Sequence, residues 1–133
     1  MFLLRAWYEA HPASRWALAL SDSQIGAALR AIHDDLARPW TVQELGAAAG
    51  LSRAAFARRF AEVIGQPPMG YLTWWRLTTA ARLLTSSDAP LASVAKQVGY
   101  GSEYAFANAF KREYGIAPGR YRSSRSISAV RAS

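Results

Sequence analysis

The 133-residue sequence contains no cysteine, which removes disulfide frameworks, thiolate nucleophiles and cysteine-based zinc sites. Histidine occurs only as His11 and His33, 22 residues apart, and no glycine-rich phosphate loop appears. No catalytic or metal-ligating set can be assembled, so neither an enzyme nor a cofactor is expected. No uncharged apolar run approaches the ~18 residues of a membrane span. The opening MFLLRAWYEA is broken by Arg5 and Glu9 and lacks a signal-peptide core. Sustained period-two alternation is absent, which argues against a sheet. These absences leave a soluble, helical chain expected in the cytoplasm.

Negative charge is the scarcer sign. The chain carries 16 Lys and Arg against 9 Asp and Glu, a net of +7. Residues 1–50 hold four arginines and five acidic groups, a net of −1. Residues 51–133 hold twelve basic and four acidic groups, a net of +8. A basic surface suits nucleic acid or anionic lipid; the alternative is an ordinary solvated face.

The apolar material is ample, at 51% of residues with 12% aromatic, enough for one compact domain or two small ones packed together. Its spacing is helical. Ser21 to Gln24 form a candidate capping box before Ile25, Leu29, Ile32 and Leu36. Thr41 and Glu44 form a second one, opening a short helix that breaks at Gly50. Ser52 caps the next helix, which Gly65 and Pro67-Pro68 end. A longer helix is expected from about Met69 to Leu84. A short helix to Gly99 follows, and then one from Ser102 to Tyr114. The tail from 123 to 133 shows no apolar periodicity and is expected to be disordered.

One skeleton occurs twice. Ser52, Phe56, Phe60, Gly65, Pro68 and Tyr71 recur as Ser102, Phe106, Phe110, Gly115, Pro118 and Tyr121, each 50 residues on. Each copy is a short helix, a glycine-containing turn and a second helix starting at a serine cap: Val42–Ala49 then Arg53–Val63, and Leu91–Val98 then Glu103–Tyr114. That is a helix-turn-helix pattern, in which the second helix enters the DNA major groove. The expected fold is all-α, with two helix-turn-helix subdomains (39–85, including the linker helix, and 86–122) joined by a central helix. That helix would be about 24 Å long, against about 34 Å between successive major-groove entries on one face of DNA.

At ~100° per residue, Phe56, Phe60 and Val63 share a core stripe, and Arg58 points about 160–200° away with Ala54 and Ala61 beside it and Ala57 on the flank. Phe106 and Phe110 form the second stripe, with Tyr104, Asn108 and Lys111 outward. Arg58 suits a bidentate contact to guanine and Asn108 one to adenine, while small alanines allow close approach to thymine methyls. Base readout is therefore assigned to Arg53, Ala54, Ala57 and Arg58 in copy one and Glu103, Tyr104 and Asn108 in copy two. Phosphate contacts are assigned to Ser52, Arg59, Arg76, Ser102, Lys111, Arg112, Arg120 and Arg122. The bulk of Tyr104 and the charge of Glu103 make copy two an anchor more than a reader.

The segments WTVQELGAAAGLSRAAFARRFAEVIGQPPMGYLTWWRLTTAARLL and LASVAKQVGYGSEYAFANAFKREYGIAPGRYR resemble the DNA-binding domain of the AraC/XylS family of bacterial transcription regulators, over about residues 40 to 122. The resemblance rests on VGY-x-S-x-x-x-F-x-x-x-FK and G-x-x-P-x-x-Y. It implies two helix-turn-helix units on successive major grooves of promoter DNA, with RNA polymerase as a further partner. Residues 1–38 resemble the end of the family's cupin-like sensor and its connecting helix. The rest of that sensor is absent, so a monomer or weak dimer without an effector is expected. Gly101 stands where the family often has an acidic residue, and Asn108 where arginine is common. DNA-repair methyl acceptors that share this domain need a cysteine. The competing reading is an interaction or antagonist module that kept the fold and lost DNA binding.

Overall fold

The computed structural model describes residues 22–132, with side chains through Arg125. Seven helices and no strand occur among them: α1 Ser23–Asp34, α2 Val42–Ala48, α3 Arg53–Ile64, α4 Pro68–Ser86, α5 Leu91–Gln97, α6 Glu103–Tyr114 and α7 Pro118–Ala132. The all-α expectation and both helix-turn-helix pairs are borne out. The described residues divide into two compact units between Trp74 and Trp75, within α4.

In the first unit, α1 buries Ile25, Ala28, Leu29 and Ile32, the i, i+3, i+4, i+7 face of an amphipathic helix. Its cap is Asp22, whose carboxylate accepts from the Gln24 and Ile25 amides at 3.1 and 3.0 Å; Ser21, the start of the expected capping box, lies outside the described residues. Asp22 also brings a negative charge to the positive end of the helix dipole. The expected box at α2 is present: Thr41 Oγ1 accepts from the Glu44 amide and Glu44 Oε1 from the Thr41 amide. Arg38 braces it by donating to Glu44 at 2.9 Å while lying over the Trp40 ring. The Trp40 indole N–H in turn donates to the Asp35 carbonyl at 2.9 Å. Gly46 lets α2 approach α3 closely, since a Cβ there would lie 3.0 Å from the Leu51 carbonyl and 3.3 Å from Phe56 Cβ.

The repeated skeleton now has a physical account. Ser52 and Ser102 accept from the Ala55 and Ala105 amides at 3.2 and 3.0 Å, capping α3 and α6. Gly65 and Gly115 close these helices in the left-handed conformation. Pro68 and Pro118 open the next helices at the position where no amide is needed. The phenylalanines are fully buried. Tyr71 meets Phe60 edge-on at 5.7 Å and 66°, and Tyr121 meets Phe110 at 5.3 Å and 72°, a geometry favoured by the ring quadrupoles. The Tyr71 hydroxyl also lies 2.7 Å from His33 Nε2. Each of the six residues thus has a duty that is the same in both units, to which Tyr71 adds its contact with His33.

Two expectations are corrected. The core stripe of α3 continues through Ile64, 4% exposed, and not Val63, which is only half-buried. The tail expected to be disordered from 123 continues as α7 to Ala132. Its sequence lacks a packing stripe, but after Gly119 it contains no glycine or proline to stop a helix already started at Pro118. The part of 1–38 before Asp22 lies outside the described residues.

Candidate nucleic-acid interface

The second helix of each pair presents the face expected from the wheel. On α3, Arg53, Ala54 and Arg58 are exposed, while Ala57 and Ala61 are half-buried beside them. On α6, Glu103, Asn108, Lys111 and Arg112 are exposed, and Tyr104 stands out at 78% exposure. The two serine caps spend an acceptor lone pair on the helix amide, which leaves their O–H free to donate to an anion. Asn108, Lys111 and Arg112 line a shallow concavity of about 470 Å³. Among the described residues its lining is one amide and two cations.

Other expected phosphate ligands are committed elsewhere. Arg59 donates to Asp22 at 2.6 Å, tying α3 to the start of α1. Arg76 is half-buried with its guanidinium packed against Gly99, in the turn between α5 and α6. Burial pulls its pKa down, and the neighbouring Tyr100 phenol partly offsets this. Burial pushes the Tyr100 phenol up against the opposing pull of Arg76 and Arg112. Arg122 is half-buried, and its Nε donates to the Leu84 carbonyl at 2.9 Å near the end of α4. That bond satisfies one of the carbonyls a helix C-terminus leaves open. Arg120 remains exposed. Arg125, not anticipated from the sequence, lies over the Tyr121 ring at 5.5 Å.

Charge divides unevenly between the units. Residues 22–74 carry five arginines and five acidic groups, a net of zero. Residues 75–125 carry eight basic groups against three acidic ones, a net of +5. The first unit concentrates its cations on α3, while the second spreads them over several helices.

The sequence pattern of the helix-turn-helix domain family matches residues 45–124, which takes in both copies. This chain belongs to the AraC-type helix-turn-helix family. An AraC-like transcription regulator of Streptomyces lividans is 48% identical over 112 residues, 84% of this chain and 37% of its own length. The regulator AlkR of Acinetobacter baylyi is 39% identical over 107 residues, 80% of this chain and 35% of its own. The chain thus spans about a third of the length of these relatives. Among solved structures, the DNA-binding domain of AdpA, crystallised with a target DNA, superposes with a TM-score of 0.74 at 31% identity, covering 77% of this chain and 93% of that one. The C-terminal domain of AraT, a response regulator of Geobacillus stearothermophilus, gives 0.73 at 26% identity, covering 76% and 84%.

As an AraC-type domain, the chain shows a turn of unequal length in its two copies. Four residues separate α2 from α3, and five separate α5 from α6. All six skeleton positions keep their 50-residue offset, but the preceding short helices start only 49 apart, at Val42 and Leu91. The additional residue falls in the Gly99-Tyr100-Gly101 turn, where Arg76 packs.

Proposed function

We propose that this domain is the DNA-binding part of a transcription regulator and binds duplex DNA sequence-specifically, placing α3 and α6 in successive major grooves. The observation that carries the reading is the pair of serine-capped helices, each with a phenylalanine stripe buried and a polar or small-residue face exposed. The AraC-type relationship and the AdpA domain's structure with its target DNA support it. Helix α3 reads sequence: Arg58 takes a guanine edge, and Ala54 and Ala57 admit the helix to the groove floor. Helix α6 anchors, through Lys111 and Arg112, with Arg120 from α7. Tyr104 and Glu103 limit how closely α6 approaches base edges. No described helix is long and apolar enough to cross a membrane; the basic face is assigned to nucleic acid on the AraC-type relationship.

Titration of duplex DNA against salt tests the reading. Of the cations assigned to DNA, Arg53, Lys111, Arg112 and Arg120 are exposed and are taken as the phosphate contacts, which sets a log–log slope of about −3.6 at −0.9 per phosphate. Sites selected from a random duplex pool should show one guanine that Arg58→Ala erases, at a cost of about 1–3 kcal/mol. Asn108→Ala should alter the selected motif by well under ~1 kcal/mol, below a bidentate contact. Backbone footprinting should protect two segments about 10.5 base pairs apart. A flat salt response would leave only the interaction or antagonist module.

A further inference from the structure

The exposed flank of α3 is one wall of a groove. Val42 at the start of α2, Ala54 and Ala57 of α3, and the Pro67-Pro68-Met69 segment leading into α4 enclose about 400 Å³, with Arg53 also contributing to the lining. All these residues lie in the first unit. Met69 is 38% exposed, and it and Tyr104 are the exposed large hydrophobic side chains among the described residues. From Phe56, Ala57 lies ~100° and Ala54 ~160° around the helix, with Arg58 at ~200°. The groove therefore adjoins the face that presents Arg58.

Among the groups that project from base edges into the major groove, the amines and carbonyls are polar and the thymine C5-methyl is apolar. Amines and carbonyls entering this groove would meet alkyl walls and lose their water. A methyl loses nothing, and its burial is favourable. The positively charged Arg53 at the groove suits the phosphate flanking such a base. The repeat supplies a contrast. Fifty residues on, Ala54 corresponds to Tyr104, Pro67 to Ala117 and Met69 to Gly119. At these three positions copy one has the small residue on the helix and the larger ones on the facing segment, and copy two has the reverse.

We propose that this groove is a thymine-methyl subsite, and that Met69 sets a preference for thymine at a base neighbouring the guanine read by Arg58. The assignment rests on α3 being the base-reading helix, as proposed above. Its chemistry is met by any pyrimidine carrying a 5-methyl group in duplex DNA.

The test uses the full chain and a duplex chosen from the random pool. Each thymine near the Arg58-dependent guanine is replaced in turn by deoxyuridine, which removes only the methyl. One position should weaken binding about fourfold, the equivalent of a buried methyl. Cytosine there should bind less well than thymine, and 5-methylcytosine should recover part of the loss. Met69→Gln should abolish the thymine–deoxyuridine difference while leaving the salt slope unchanged, and Met69→Leu should retain it. Circular dichroism confirms that both variants fold. Specific binding with no deoxyuridine effect, or an effect that survives Met69→Gln, overturns the subsite alone. Failure of the unsubstituted chain to prefer any duplex overturns both this subsite and the base-reading role of α3.

Discussion

Replacing Gly99 with alanine isolates a tertiary contact from a backbone preference, because the other copy supplies the control. Gly50 and Gly99 both lie in the turn before a serine-capped helix, at φ of +74° and +98°. An L-residue in that region costs about 1–2 kcal/mol, partly offset by the ~0.4–1 kcal/mol that Gly→Ala gains by restricting the unfolded chain. A Cβ at Gly50 meets nothing within 4 Å, so Gly50→Ala should cost about 1 kcal/mol. A Cβ at Gly99 would lie 2.8 Å from Arg76 Nε, 2.9 Å from Cζ and 3.0 Å from Nη2. The guanidinium must move, and because Arg76 is half-buried it has few places to go. Overpacking of this kind adds about 1–3 kcal/mol, which brings Gly99→Ala to about 2–4 kcal/mol. Urea unfolding followed by circular dichroism measures both, with the m-value checked for constancy. Repeating Gly99→Ala in the Arg76→Met background should return its cost to that of Gly50→Ala, a coupling of about 1–3 kcal/mol. Equal costs for the two glycines, or a Gly99→Ala cost indifferent to Arg76→Met, would refute the contact's importance.

Arg122→Ala should lower stability by about 1.5–3 kcal/mol, the value of a hydrogen bond from a charged donor. Because its Nε serves the Leu84 carbonyl, the salt slope of DNA binding should stay unchanged; a slope shallower by about 0.9 would restore Arg122 as a phosphate contact. Asp22→Ala should cost about 1 kcal/mol as a lost helix cap, read from the urea midpoint at neutral pH. The Ile25 amide and Arg59 hold the Asp22 carboxyl below its ordinary 3.8. Its ionised form therefore stabilises the fold above that value, and the contribution is lost as pH falls through the lower folded pKa. The gap between wild type and Asp22→Ala should accordingly narrow below about pH 3.8; a gap constant down to pH 2 would show that the charge of Asp22 contributes nothing.

The residues of this chain fall into two kinds by how far away their partners lie. Ser52, Gly65, Pro68 and their counterparts act on amides, turns and helix starts within a few positions of themselves, so their spacing in the sequence already determined both helix-turn-helix units. The outward direction of Arg58, Tyr104 and Asn108 followed from the same periodicity, because a helix with two buried phenylalanines has only one face left. Periodicity leaves the stripe's edge open, and packing in the first unit decided for Ile64 over Val63. The duties of Arg59 and Arg122 were beyond local pattern, since Asp22 lies 37 residues from the first and Leu84 38 from the second. An arginine looks the same in sequence whether it faces a phosphate, a carboxylate or a helix-end carbonyl; only the fold brings one of these within reach. The groove at Met69 is of the same kind, for its walls come from three separate stretches of chain. What a residue does to its own backbone is written locally, and what it does to a distant one exists only after the chain has closed on itself.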